Sequence, residues 1–299
     1  MTQWTTFAGL TGVVLALLLA LSVLTQREFA ASESSGREPS PTDRVSTGSV
    51  PGPAAPDRPA DARAATGPDA VSERAEDVGG PGSRADGAAG PSATDPRNLS
   101  TGALLANVAL SQGVFAAVLF GAAVYTGVPA AALGISFDAA SLANDVVVGV
   151  GLGAGLYVAN ELGAAAAKRL GVDHDEELRE LLAPDSAGGW LVLLLVVLPV
   201  IAAFEEFLFR AALIGAFSAG FGLSPWLLVV GSSVAFAAGH GMQGTAGVAV
   251  TGLLGLVLGA AFVLTGSLLV VVVAHYLVNA VEFVVHEGLG IEWAATTES

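Results

Sequence analysis

Long uncharged apolar runs are the feature that most limits what this chain can fold into. The run from Phe7 to Leu24 contains no charged residue and is long enough to cross the roughly 30 Å hydrocarbon layer of a membrane as a helix. Similar runs return after Leu99 and continue almost to the end of the chain. Only helices and closed barrels satisfy every backbone polar group in lipid, and these runs are too long and too uniformly apolar for barrel strands. The sequence therefore predicts an all-α, polytopic transmembrane helical bundle.

About seven spans are expected. Six follow the N-terminal run, at 102–126, 142–163, 190–219, 225–240, 247–265 and 267–286. The 190–219 run would be about 45 Å long as one helix, so we expect it to tilt, to extend beyond the membrane, or to break at Pro199. The N-terminal run is interpreted as a retained span, because no Lys or Arg precedes it and Arg27 follows it. A signal peptide is the alternative.

Composition divides the chain into five regions. Residues 1–29 hold the N-terminal span, and 30–98 are rich in Pro, Gly, Ala and acidic residues. This second region cannot bury enough apolar surface to offset its chain entropy, so we expect a disordered linker. Residues 99–189 hold accessory spans and a polar loop, 190–286 hold spans with polar residues at membrane depth, and 287–299 form an acidic tail.

The charge balance excludes several classes of function. The chain is 53% hydrophobic and 13% charged, with a net charge of −15 that repels a phosphate backbone, so we expect no nucleic-acid partner. It has no cysteine, which excludes disulfides, thiolate zinc sites and a Cys nucleophile. Lys168 is the sole lysine among many acidic residues. Such segments suit concentrated salt, which screens self-repulsion, and we hypothesise a halophilic source.

The few cations predict an orientation in the membrane. The orientation rests on five of them, namely Arg27 and Arg97, which flank the linker, and Lys168, Arg169 and Arg179 in the loop 164–189. The loop 127–141 contains no cation. By the positive-inside rule, the linker and the loop 164–189 are cytoplasmic. Seven spans then place the N-terminus outside and the C-terminus in the cytoplasm.

Glycines within the spans recur four residues apart, at Gly151 with Gly155 and at Gly255 with Gly259. Small residues at this spacing allow neighbouring helices to approach closely in lipid. Each pair therefore either lies at a helix–helix contact or reflects only the high glycine content of a membrane protein.

Three ionisable residues stand within the 190–219 run, at Glu205, Glu206 and Arg210. Each costs roughly 2.5–3.5 kcal/mol at the centre of a span, so they should face the interior of the bundle. Glu206 and Arg210 are four apart with the acid first, which favours a helical ion pair. Glu205 points about 100° away and has no such local partner.

Two further spans carry polar residues at helical spacing. His240 ends the 225–240 run, and His275 and Asn279 share one face of the 267–286 run. Glu282 and His286 extend that face and are interpreted as structural. Because hydrocarbon does not tolerate such groups singly, we expect the polar residues of the three spans to meet.

This set of side chains suits hydrolysis of an amide bond. A carboxylate beside a histidine activates water as a general base, and an asparagine or a second histidine stabilises an oxyanion. Alternatively, Glu205, His240 and His275 would match a hydrolytic zinc centre with an open position. The sequence has no HExxH zinc-protease motif, since Gly290 stands where the second histidine would belong, and it has no Gly-x-Ser-x-Gly elbow.

Three motifs in this order resemble a known family. EExxxR at 205–210, FxxxH at 236–240 and HxxxN at 275–279 are similar to the signature motifs of the CPBP family. That family comprises CAAX prenyl endopeptidases, bacteriocin-processing or self-immunity proteins, and lysostaphin-resistance-like (Abi) proteins. The resemblance implies Glu205 and Glu206 as catalytic carboxylates acting with His240, and Arg210 as the residue that holds them. It also implies that His275 and Asn279 complete the site or form its oxyanion hole.

The resemblance implies an intramembrane endopeptidase whose partners are the lipid bilayer and a membrane-associated peptide or protein substrate. It leaves open whether zinc or a glutamate-activated water without metal is used, and it implies a prenylated substrate for one branch only. Ala211 stands where many members have glycine. The alternatives are a non-enzymatic scaffold or bacteriocin-immunity-type protein and a proton-coupled transporter, the latter disfavoured because no inverted repeat is visible.

Overall fold

All regular elements in the described part of the chain are helical, which confirms the all-α prediction. The computed structural model describes residues 1–36, 100–169 and 177–291. The α-helices are α1 (Trp4–Gly36), α2 (Thr101–Thr126), α3 (Ala139–Arg169), α4 (Glu177–Leu182), α5 (Ala187–Val192), α6 (Leu198–Glu206), α7 (Phe217–Phe221), α8 (Pro225–Gly239), α9 (Gly244–Thr265) and α10 (Leu268–Glu282). Short 3₁₀ helices occupy Ala130–Leu133 and Gly241–Gln243, and π-helical turns occupy Leu193–Val197, Phe207–Ala216 and Phe283–Gly288.

Six of the described helices are long and apolar enough to cross a membrane. They are Trp4–Arg27, Thr101–Thr126, Ala139–Ala166, Ala187–Phe221, Gly241–Thr265 and Leu268–Gly288. The seventh predicted span is α8, which has 15 residues and is about 22 Å long, shorter than the roughly 30 Å hydrocarbon layer. The protein is therefore a multi-pass membrane protein, with one apolar helix too short to cross alone. The orientation of its termini stays a prediction.

A break at Pro199, one of the three alternatives for the long 190–219 run, does not occur. Residues Ala187–Phe221 form one continuous helical segment, in which α5, α6 and α7 alternate with two π-helical turns. The first π turn ends immediately before α6, where the Leu198 N–H donates to the Leu193 carbonyl, five residues back. A proline lacks an N–H and crowds the carbonyl four residues earlier. The wider π turn accommodates both effects, so the helix continues through Pro199.

The long segment 187–221 is the centre of the bundle. It contacts α2, α8, α9 and α10. Its most deeply buried residues include Leu193, Val197, Ala202, Leu208 and Ala212, each with no exposed surface. Polar residues on the same segment are therefore enclosed by helices rather than by lipid.

Glycines permit two close helix contacts, of which the sequence correctly placed one. Gly255 and Gly259 lie against Ser233 and Val229 of α8, as predicted. A methyl group added at Gly151 or Gly155 would meet no atom of another element within 4 Å. Their neighbours Gly149 and Gly153, on the opposite face of α3, are the ones that pack against α10.

The N-terminal helix α1 packs into the bundle. Its residues Phe7, Thr11 and Val14 are buried, and the Gln3 N–H donates to the Thr126 carbonyl at the end of α2 over 2.8 Å. The helix continues to Gly36, beyond the predicted start of the linker at residue 30. The remainder of the predicted linker, from residue 37, lies outside the described residues.

Candidate active site

Glu206 and Arg210 form the predicted ion pair at the centre of the bundle. Glu206 ends α6 and Arg210 lies in the π turn that follows, and both are at most 1% exposed. Arg210 Nη1 donates to Glu206 Oε1 over 2.8 Å, and Nη2 donates to the Gly255 carbonyl of α9 over 3.1 Å. The guanidinium also lies 4.8 Å from the centre of the Phe236 ring, within range of a cation–π interaction. Arg210 therefore ties the central segment to α8 and α9.

His275 joins this pair from α10. It is 3% exposed, and its Nδ1 lies 2.7 Å from Glu206 Oε1. Because the same oxygen already accepts from Arg210, the geometry indicates that the Nδ1–H of His275 donates to it. The hydrogen bond fixes the ring so that its other nitrogen, Nε2, lies 3.7 Å from Glu205 Oε2.

His240 approaches from the opposite side, at the end of α8. Its Nδ1 lies 2.8 Å from the Phe236 carbonyl, which can only accept, so Nδ1 carries a proton and, in the neutral ring, Nε2 carries the lone pair. Nε2 lies 3.9 Å from Glu205 Oε1. The side chain is 25% exposed, against 4% for that of His275, so His240 is the more open of the two imidazoles.

Glu205 thus stands between two imidazoles that come from two other helices. The separations of 3.9 Å and 3.7 Å are too long for hydrogen bonds but short enough for a strong electrostatic interaction if either ring is protonated. Glu205 is 8% exposed, and its Oε2 has no hydrogen-bond partner. The structure therefore brings together five of the six residues expected in the site, namely Glu205, Glu206, Arg210, His240 and His275.

The sixth residue, Asn279, lies one turn beyond His275 on α10 and is half-buried. Glu282 and His286 do not join the site. Their partners are on α3, where Asn160 donates to Glu282 and the His286 Nε2 lies 2.7 Å from Glu161 Oε1. This agrees with the structural role interpreted for Glu282 and His286.

Two contributors to the site were given no role in the sequence analysis, although one of them, Phe236, is the first residue of the FxxxH motif. Phe236 packs against Arg210 and His240, with its ring centre 4.5 Å from that of His240, and its carbonyl fixes the His240 tautomer. The signal was its position four residues before the histidine, one helical turn away. Gly255 was noted only for close packing, yet its carbonyl accepts from Arg210. No sequence pattern identifies a backbone acceptor of this kind.

A metal centre was tested against the same geometry. Glu205, His240 and His275 offer one carboxylate and two imidazoles, which are suitable zinc ligands in type. Within residues 1–36, 100–169 and 177–291, however, no group of three His, Cys, Asp or Glu side chains is arranged to hold a metal ion. The zinc site therefore stays a prediction, and the steps proposed below do not depend on it.

The fold and the cluster together define a multi-pass helical membrane protein with buried glutamate and histidine side chains at its centre. Residues 187–281 match the family of Rce1-like type II CAAX prenyl endopeptidases. The matched region is about a third of the chain and contains all six predicted site residues. This match is consistent with the CPBP family, which the three motifs resemble. No curated protein and no solved structure matches the chain.

Proposed function

We propose that the protein is an intramembrane endopeptidase that hydrolyses a peptide bond in a membrane-associated protein or peptide. The observation that carries this proposal is the position of Glu205 between His240 and His275, at 3.9 Å and 3.7 Å. The family match over 187–281 supports the same class of reaction.

The two adjacent carboxylates have different roles in this proposal. Glu206 is fully buried, and its Oε1 accepts from both Arg210 and His275. A buried carboxylate that accepts two hydrogen bonds is suited to holding the side chains of Arg210 and His275 in place. Glu205 has no such partner, and its oxygens face the two imidazoles. We therefore assign the general base to Glu205 and a positioning role to Glu206.

The reaction begins when Glu205, with His240 beside it, accepts a proton from water. The water oxygen forms a bond to the scissile carbonyl carbon, and the carbonyl oxygen becomes an oxyanion. When this intermediate collapses, the C–N bond breaks and the leaving nitrogen takes the proton from Glu205. The carboxylate is thereby regenerated, and a carboxylic acid and an amine are released.

His275 and Asn279 are proposed to donate to the oxyanion. With Nδ1–H directed at Glu206, His275 carries a proton on Nε2 only as the imidazolium. Glu205, Glu206 and Arg210 have a formal charge sum of −1, so an imidazolium at His275 makes the cluster neutral.

Zinc is the alternative route, which the donor types of three side chains support although the described residues are not arranged to hold a metal ion. Glu205, His240 and His275 would hold it, and it would supply a Lewis acid that polarises the scissile carbonyl. Treating purified protein with a chelator separates the two routes. Full activity after the chelator has removed all bound zinc, measured by elemental analysis, would contradict the zinc route.

The predicted topology places the site toward the cytoplasm. With the N-terminus outside, α8 runs inward, so His240 at its end lies on the cytoplasmic side. We therefore propose that the scissile bond enters from that side of the membrane.

The test compares cells that carry the unaltered protein, Glu205→Gln or Glu161→Gln. Glu161 is the matched control, because it is a buried glutamate that pairs with a histidine outside the site. Proteomics of membrane-anchored peptides should show an uncleaved precursor that accumulates with Glu205→Gln alone. His240→Ala and His275→Ala should accumulate the same precursor while still inserting into the membrane.

Normal processing in all three site variants would contradict the enzyme and favour a scaffold or immunity-type protein. A scaffold requires only saturated polar pairs with no space for a substrate. In the structure, Glu205 Oε2, Glu206 Oε2 and Arg210 Nε have no hydrogen-bond partner, so the cluster is not saturated.

A cavity of about 310 Å³ lies at the other end of α8 and is lined by residues such as Gly215, Pro225 and Phe262, none of which belongs to the site.

A further inference from the structure

Helix α1 lies outside the matched domain, yet it contacts the residues on both sides of His240. The Ser22 hydroxyl donates to the Gly239 carbonyl over 2.8 Å. The Gln26 amide then donates to Ser22 Oγ over 3.0 Å. These two bonds form a short chain from α1 to the end of α8.

Helix α1 approaches the end of α8 closely. A methyl group added at Gly239 would lie 3.3 Å from Leu18 Cδ2. One added at Gly241 would lie 2.7 Å from Gln26 Cδ, too near for real atoms. Helix α1 therefore reaches the backbone on either side of His240 because neither flanking residue has a side chain.

Ser22 supplies a hydrogen-bond donor that the end of α8 lacks. Gly239 is the last residue of the helix, so its carbonyl is among the four that lack an intrahelical donor. In hydrocarbon an unsatisfied carbonyl is costly, and Ser22 supplies a donor. His240 follows directly, with a non-helical backbone at φ −105° and ψ 24°. The direction of the His240 side chain therefore depends on how the end of α8 is held in place.

We propose that α1 is a positioning helix for His240 and that Ser22 is its positioning residue. This inference rests on the proposed function, because it concerns the histidine assigned to water activation. Ser22 acts through the Gly239 carbonyl, and the structure shows no contact between Ser22 and the His240 side chain. Loss of its hydroxyl should therefore slow turnover and leave binding of the substrate unchanged.

The activity test uses Ser22→Ala, Ser22→Thr and Thr25→Ala, with the precursor that accumulates in Glu205→Gln cells as the substrate. Ser22→Ala should lower kcat by about tenfold with KM unchanged, less than the roughly hundredfold cost of a 1 Å displacement. Ser22→Thr keeps a hydroxyl and should restore kcat. Thr25→Ala is the matched control, since the Thr25 hydroxyl donates to the Leu21 carbonyl of its own helix.

The docking of α1 is tested without any substrate. The chain has no cysteine, so Gln26→Cys with Gly241→Cys introduces the only two thiols. Mild oxidation of the full chain in membranes should join them, as detected by mass spectrometry of the linked peptides. The pair Thr25→Cys with Gly241→Cys should remain unlinked.

The outcomes distinguish this inference from the proposed function. No precursor with Glu205→Gln would overturn the proposed function and this inference with it. Precursor with Glu205→Gln, but normal kcat with Ser22→Ala, would overturn the inference alone. A kcat that Ser22→Thr fails to restore, or an absent link between positions 26 and 241, would also overturn it.

Discussion

Replacing Arg210 by Met would leave the Glu206 carboxylate buried without its cation. Arg210 is 1% exposed, and it makes a 2.8 Å ion pair with Glu206 and a 3.1 Å hydrogen bond to the Gly255 carbonyl. Met keeps most of the volume and loses both interactions. Removing one member of a buried ion pair costs about 3–5 kcal/mol, chiefly because the remaining charge lacks compensation. We therefore expect Arg210→Met to lower the free energy of unfolding by about this amount.

The double variant Glu206→Gln with Arg210→Met shows whether the unpaired charge of Glu206 causes the loss in the free energy of unfolding. Gln keeps an oxygen that can accept from His275 Nδ1, and no unpaired carboxylate remains at position 206. Replacing both members of a buried pair by neutral groups is often close to neutral in stability. The double variant should therefore be more stable than Arg210→Met alone. It should remain inactive, because neither the Glu206 carboxylate nor its Arg210 partner is then present to hold the site as the proposed mechanism requires.

The free energy of unfolding is measured by denaturant titration of the purified protein in micelles, followed by tryptophan fluorescence. The control is Arg179→Met, which removes an ion pair to Glu287 with the same 2.8 Å separation but side chains about a fifth exposed. A partly exposed pair contributes only up to about 1 kcal/mol. Equal losses for Arg179→Met and Arg210→Met, or a double variant less stable than Arg210→Met, would refute the reasoning from burial.

Two further outcomes are expected. A methyl at Gly153 would lie 2.9 Å from the Ala274 carbonyl oxygen, whereas one at Gly151 meets no atom within 4 Å, so Gly153→Ala should cost about 1–3 kcal/mol in the same titration and Gly151→Ala should cost nothing. If the halophile hypothesis holds, the unfolding midpoint should rise between about 0.1 M and about 1 M KCl, as the screening length falls from about 10 Å to about 3 Å. Full stability of the net −15 chain at low salt would contradict that hypothesis.

The sequence was most informative where solvation alone decides the outcome. Apolar runs must become helices in lipid, so the all-α fold and the approximate spans could be predicted. The same argument predicted that Glu205, Glu206 and Arg210 face the interior, because lipid exposure is too costly. Helical spacing predicted the Glu206–Arg210 pair, which the structure contains at 2.8 Å.

The sequence was least informative where packing between helices decides. Gly151 with Gly155 has the same spacing as Gly149 with Gly153, so only the rotation of α3 against α10 distinguishes the two faces. The π turn before Pro199 depends on its surroundings and has no sequence signature that we used. Nor could the contact between Ser22 and Gly239 be predicted, since it joins residues 217 apart in the chain.

The neighbouring glutamates show how one helix can meet two opposing needs at membrane depth. A catalytic carboxylate has to remain incompletely paired to accept a proton, yet hydrocarbon penalises unpaired charge. Successive residues on a helix point about 100° apart, so Glu206 can bind Arg210 and His275 while Glu205 faces the two imidazoles. Arg210 also changes the formal charge sum at this point of the helix from −2 for the two glutamates to −1 for all three residues. The buried position of the reactive Glu205 therefore depends on the ion pair and hydrogen bond that Glu206 makes beside it. For this reason Glu206→Gln should reduce activity even though Glu205 is retained.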